Sequence, residues 1–275
     1  MRATGGRGVR PNSGAFQAET VSNGLNNDST FAVFLNIDEL LTRNGPSGTG
    51  LDYDSPMPRP PRLVAPSTVY HVIVRCNNKE HLFKTPKDFE SLLCVLAHYK
   101  NKHGFKLFGY CIMNTHAHLV IQTPDDDGVT ISRIMHDVGG LYARDYNLRH
   151  GRVGHFFGER FKSPIVEDDS YGIALLRYIA QNPVRAGMVN HARDHAWSSY
   201  RVYETGEPNA FVDLLPSFEG LARTRQRAAR MFAELVEGEL VKQDDSWTRT
   251  RILGTEQFVK KVLGWTGKSA ADPPQ

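Results

Sequence analysis

The chain has 275 residues, 40% of them hydrophobic and 23% charged, with a formal net charge of +3. This is the balance of a folded globular protein, and the mildly basic charge permits a nucleic-acid partner without demanding one. Cys76, Cys94 and Cys111 lie far apart with no C-x-x-C, which argues against a zinc knuckle or disulfide framework, and no apolar run nears the ~20 residues that span a bilayer.

Residues 1–57 are rich in Gly, Ser, Asn and Thr. They bury too little apolar surface to offset their ordering entropy, so a disordered tail is expected. Within it, only Phe31–Leu41 is apolar enough to form a short element. No apolar signal core is present at the start, and the chain reads as a cytoplasmic protein. The run P-R-P-P at 58–61 marks the start of the folded part.

Val69–Cys76 (V-Y-H-V-I-V-R-C) is β-branched and aromatic and reads as a first strand. A helix follows, with Thr85 as cap, Pro86 at the first position and Gly104 as stop. Phe89, Leu92, Leu93, Leu96 and Tyr99 form its apolar stripe. Phe105–Ile112 reads as a second strand and leads into Met113–Pro124 (M-N-T-H-A-H-L-V-I-Q-T-P), a third. In a strand, residues two apart share a face, with Cα atoms roughly 6.5–7 Å apart. His116 and His118 can therefore lean onto one metal ion, while Ala117 and Leu119 face a covering layer. An isolated H-x-H reads more often as a pair of ordinary strand histidines than as metal ligands.

A second amphipathic helix carries Ile131, Ile134, Met135, Val138 and Tyr142 and ends near Gly151. Its internal Gly139-Gly140 costs about 1 kcal/mol per glycine relative to Ala. Gly154–Val166 reads as a strand or hairpin carrying Arg160 and Lys162. The order strand, helix, strand, strand, helix, strand is that of a ferredoxin-like (RRM-like) α+β fold, with an antiparallel sheet and helices on one face. Ser170–Asn182 reads as a further helix stopped by Pro183. Tyr178 and Asn182 are i and i+4 neighbours on it; by spacing alone, Tyr178 is a core aromatic. Leu214–Leu240 and Thr255–Leu263 read as helices of a C-terminal extension, and the last seven residues as frayed. The expected divisions are 1–57, 58–205 and 206–275.

M-N-T-H-A-H-L-V-I at 113–121 resembles the HUH motif of single-tyrosine transposases, and R-Y-I-A-Q-N-P-V-R-A-G-M-V at 177–189 resembles their tyrosine helix. R-P-P-R-L-V-A-P-S-T-V-Y-H-V near the start of the folded part, G-H-F-F-G-E-R-F-K-S and W-S-S-Y at 197–200 resemble further pieces of the same family, and L-L-P-S-F at 214–218 and I-L-G-T-E-Q-F-V at 252–259 resemble one branch of it, the REP-associated tyrosine transposases. The likeness runs from about residue 58 to about residue 263. It implies a metal-dependent endonuclease and strand transferase that acts on hairpin-bearing single-stranded DNA, in a bacterial cytoplasm, as a monomer or homodimer. It places Tyr178 as the nucleophile and His116, His118 and Asn182 as ligands of Mg²⁺ or Mn²⁺. Mixed nitrogen and oxygen ligation suits Mn²⁺ at least as well as Mg²⁺. Arg160, Lys162, Arg177 and Arg185 are candidate phosphate contacts, and Tyr110, Phe156 and Phe157 candidate stacking surfaces. Two other readings compete: a non-catalytic nucleic-acid-binding module on an RRM-like sheet, and a metal hydrolase with a water nucleophile.

Overall fold

The computed structural model describes residues 61–126, 128–207, 209–240, 247 and 250–268. The tail expected at 1–57, its Phe31–Leu41 segment and the last seven residues, expected to fray, lie outside the described residues. Three long strands, β1 (Val69–Arg75), β2 (Lys106–Ile112) and β3 (His116–Gln122), form the antiparallel centre of a sheet. Two short strands, β4 (Ile165–Val166) and β5 (Ile252–Leu253), extend it to the order β2-β3-β1-β4-β5. β4 runs antiparallel to β1, and β5 parallel to β4. The first four strands thus have the ferredoxin-like order, and the fifth is supplied by the C-terminal extension.

Alternation along the strands decides what each face meets. Tyr70, Val72 and Val74 of β1 join Ala117, Leu119 and Ile121 of β3 in one core cluster. That face is covered by α1 (Pro86–His103) and α2 (Ile131–His150). Both helices close on left-handed glycines, Gly104 at φ 68° and Gly151 at φ 57°, where a glycine adopts the turn without strain. Asp88 pins the two helices together. Its buried carboxylate accepts the backbone N–H of Thr85 at 2.9 Å at the head of α1, and Arg149 and His150 at the tail of α2, both at 2.7 Å. Burial alone would raise the Asp88 pKa, but these hydrogen bonds outweigh it and hold the group well below the usual carboxylate range.

The opposite face carries Val69, Val120 and the histidines, and it is covered by α3 (Ser170–Arg185). The side chain of Asp169 accepts the Tyr171 N–H at 2.8 Å and starts this helix. Pro183 does not stop α3 as expected. The helix runs to Arg185 with the proline inside it, and the Ala186 N–H still reaches the Asn182 carbonyl at 2.9 Å. Asn182 therefore lies within the helix rather than at its end. α3 sits close to the sheet because Gly109 of β2 has no side chain: a Cβ there would lie 2.8 Å from Leu176 Cδ2 and 3.3 Å from Ile179 Cδ1.

Other expectations need correction. Gly154–Val166 is mostly irregular. Before the two residues of β4 it makes two isolated bridges, Ile73 of β1 with Lys162 and Cys76, just past β1, with Phe157. Glycines at 154 and 158 and a proline at 164 interrupt any longer ladder. The long helix expected at Leu214–Leu240 is two: α5 (Pro216–Glu219) and α6 (Arg225–Glu237), after a short α4 (Tyr200–Thr205); Glu256–Lys268 forms α7. Gly220 closes α5 and Thr224 caps α6, accepting the Arg227 N–H. Phe156 is a core aromatic, in edge contact with Tyr142 at 4.8 Å and Tyr146 at 4.6 Å, not a base-stacking surface. A Cβ at Gly139 would meet the Phe157 ring at 3.5 Å, an ordinary contact, and nothing lies within 4 Å of one at Gly140, so packing does not explain this pair.

Candidate active site

β1 and β3 present a row of polar side chains between the sheet and α3. Their register sets Arg75 opposite His116, Ile73 opposite His118 and His71 opposite Val120. His71, Ile73 and Arg75 therefore share the face of His116 and His118. The His116 and His118 ring centroids are 5.0 Å apart. His118 also meets His71, Nδ1 to Nε2 at 2.8 Å. The remaining nitrogen of His71, Nδ1, lies 3.1 Å from the Trp247 carbonyl. The His116 Nδ1 is engaged by the Thr115 hydroxyl at 2.9 Å.

α3 brings Tyr178 onto this row. Its ring centroid is 5.9 Å from His118 and 6.1 Å from His71, edge-on to both. Trp247 lies nearly parallel to it at 5.4 Å, and the Arg185 guanidinium carbon is 4.8 Å from its centroid. Tyr178 is 6% exposed and His118 2%. One turn on, Asn182 Oδ1 accepts Arg185 Nη1 at 3.1 Å, while its buried Nδ2 has no partner among the described residues.

Burial is the main electrostatic fact. It lowers the pKa of His71 to about 3 and of His116 to about 4, the latter aided by Arg75. His118 is lowered well below its ordinary value, by burial first and then by His71, His116, Arg75 and Arg185. All three imidazoles are therefore neutral near pH 7, the form that ligates metals. With both Nδ1 atoms engaged among the described residues, Nε2 is the nitrogen left to each of His116 and His118 for a cation, in the tautomer that carries its proton on Nδ1. The Asn182 amide oxygen has a second lone pair beyond the one used by Arg185. No cluster of three or more His, Cys, Asp or Glu side chains suited to a metal occurs among the described residues. The ligands expected from the sequence, two imidazoles and an amide, are donor types that suit a divalent cation of mixed nitrogen and oxygen preference.

The candidate phosphate contacts divide into two groups. Arg160 and Lys162 are exposed and line a small cleft with Ile73, Arg75 and Glu159, beside the histidine row. Arg177 and Arg185 are partly buried. Arg177 Nη2 donates to the Glu239 carbonyl at 2.6 Å, and Arg185 Nη2 donates to the Tyr178 carbonyl at 3.3 Å. Three site residues escape sequence reasoning: His71, Arg75 and Trp247. The alternation of V-Y-H-V-I-V-R-C could have flagged the first two, since it puts them on one face. Nothing in the local sequence around Trp247 links it to Tyr178.

Residues 65–182 match the family model described as "Transposase IS200 like". No curated protein matches the chain. Among solved structures, a REP-associated tyrosine transposase bound to a REP hairpin is similar over 57% of this chain and 95% of that one, at 17% identity and a TM-score of 0.46. A putative transposase from Deinococcus radiodurans R1 is similar over 44% of this chain and 84% of that one, at 16% identity and a TM-score of 0.31. No described helix is long and apolar enough to cross a membrane. Residues 65–182, which hold the histidine pair and Tyr178, are thus similar to IS200-like transposases.

Proposed function

We propose that the protein cuts and rejoins single-stranded DNA through a covalent 5′-phosphotyrosine on Tyr178, with a divalent cation held by His116, His118 and Asn182. The observation that carries this reading is the convergence of Tyr178 and His118, 5.9 Å apart in one chain. A cation bound there would offset the charge on the non-bridging oxygens of the scissile phosphate. Tyr178 attacks the phosphorus; the bond to the departing 3′ oxygen breaks and the phosphate stays on the tyrosine. The released 3′-OH, or another, attacks the adduct and expels the tyrosine, so the bond energy is conserved and the reaction is joining rather than hydrolysis. Arg185 sets a positive charge against the Tyr178 ring. Arg75, Arg160 and Lys162 offer exposed cations beside the histidine row for the incoming backbone.

We assign the chain to the REP-associated branch and its substrate to hairpin-bearing repeats, on the C-terminal motifs. In the structure these motifs are cement. Leu215 and Phe218 of L-L-P-S-F are fully buried against α3 and α6, and Ile252-Leu253 of I-L-G-T forms β5.

The test is incubation with hairpin-bearing single-stranded DNA and Mn²⁺, followed by denaturing electrophoresis. A denaturation-resistant protein–DNA adduct is expected, and its loss in Tyr178→Phe. Binding with no adduct in the wild type would favour a module that only grips DNA; cleavage that persists in Tyr178→Phe would favour a water nucleophile.

A further inference from the structure

We propose that His71 is a positioning residue for the His118 ligand: it fixes His118 as the Nδ1–H tautomer and so reserves the Nε2 lone pair for the site. The argument follows a chain of donors and acceptors. The Trp247 carbonyl can only accept, so the His71 Nδ1 that faces it at 3.1 Å carries the proton. Neutral His71 then presents Nε2 as an acceptor. The His118 Nδ1, 2.8 Å away, must be the donor, and its Nε2 is left unprotonated.

The ring geometry supports a directed hydrogen bond rather than a face-to-face stack. The two centroids are 5.1 Å apart with planes 20° from parallel. That separation is the 2.8 Å contact plus two ring radii of about 1.1 Å each, so the rings meet edge to edge, nearly coplanar, as an in-plane hydrogen bond requires. Both rings are buried, and the pairing of β1 with β3 fixes the backbone positions from which they meet. The same contact explains a buried polar residue on β1 that the cleavage chemistry leaves unused. It also joins residue 247 of the extension to a ligand on β3. Hydrogen-bond partners of this kind orient metal-bound imidazoles, and losing one costs about 10–100-fold in metal affinity.

The inference rests on the metal-site reading above, so its test has two independent readouts. The first is the tautomer itself, read by long-range ¹H–¹⁵N correlation on the metal-free, ¹⁵N-histidine-labelled full chain near neutral pH. His118 is expected as Nδ1–H in the wild type and in His71→Gln, whose Oε1 also accepts, and to shift toward Nε2–H in His71→Leu. The second is Mn²⁺ affinity by titration calorimetry or electron paramagnetic resonance. It is expected to fall tenfold or more in His71→Leu and to be largely retained in His71→Gln. His118 found as Nε2–H in the wild type overturns the proposal, whether or not any variant folds. So does a His71→Leu protein with both readouts unchanged. The expected tautomers with no Mn²⁺ uptake by the wild type would support the hydrogen-bond relay and overturn the metal reading instead.

Discussion

His71, His116 and His118 are neutral because burial makes their charged forms costly, and this ties stability to pH. In the unfolded chain each titrates near 6.5; in the fold His71 titrates near 3 and His116 near 4. Above the unfolded value neither state binds the proton, so their contribution is fully present. As pH falls below it, the unfolded state takes up protons the native state refuses, and stability drops. The slope reaches about 1.4 kcal/mol per pH unit for each fully buried imidazole. Urea midpoints are therefore expected to fall steadily from pH 6.5 to 4.5, and more gently in His71→Gln; a flat profile in the wild type would contradict the burial argument. The H-x-H pair and the Tyr178–Asn182 spacing are legible in the sequence because each lies within one element with a fixed repeat. His71 is not, because its partner is 47 residues away on another strand and only the register brings them together.

Strands and helices were legible where their apolar period is long and their ends are marked. α1 and α2 follow their stripes, caps and closing glycines, and β1 and β3 follow their alternation. Misreadings arise where tertiary packing overrides a local signal. Pro183 reads as a stop, yet α3 carries on past it, held by packing on both sides. Gln181 Nε2 donates to the Val236 carbonyl at 2.8 Å, tying α3 to α6. Two substitutions test the packing that sets these elements. Asp88→Ala leaves Arg149 and His150 without their shared acceptor and uncaps α1; a loss of about 3 kcal/mol is expected in chemical denaturation. Gly109→Val pushes a branched side chain into Leu176 and Ile179. It should cost about 1–3 kcal/mol and reduce adduct formation beyond the stability loss, because α3 carries Tyr178, the proposed nucleophile. A Gly109→Val protein with normal adduct yield would show that the close seating of α3 is unimportant.

On the scale of the molecule, the extension shares a core with the rest of the chain. Leu215, Phe218, Phe232 and Leu253 are buried in the same cluster as Leu175, Tyr178 and Val120. Removing the chain beyond residue 205 is expected to expose that face of α3 and yield an aggregating protein, seen by light scattering. The outer edge of β2 is also occupied. Ile112 N–H donates to the Trp197 carbonyl at 2.9 Å, Tyr110 N–H to Ser199 Oγ at 2.9 Å, and Leu107 N–H to Asp213 Oδ2 at 2.8 Å. W-S-S-Y thus has a physical role that its letters do not reveal: it blunts an edge strand that could otherwise pair with a second sheet. The phenol and the imidazoles, meanwhile, already face each other within one polypeptide. Two crippled preparations, one Tyr178→Phe and one His118→Ala, should therefore stay dead when combined, since neither can lend the other what it lacks. Recovery on mixing would mean that copies trade helices.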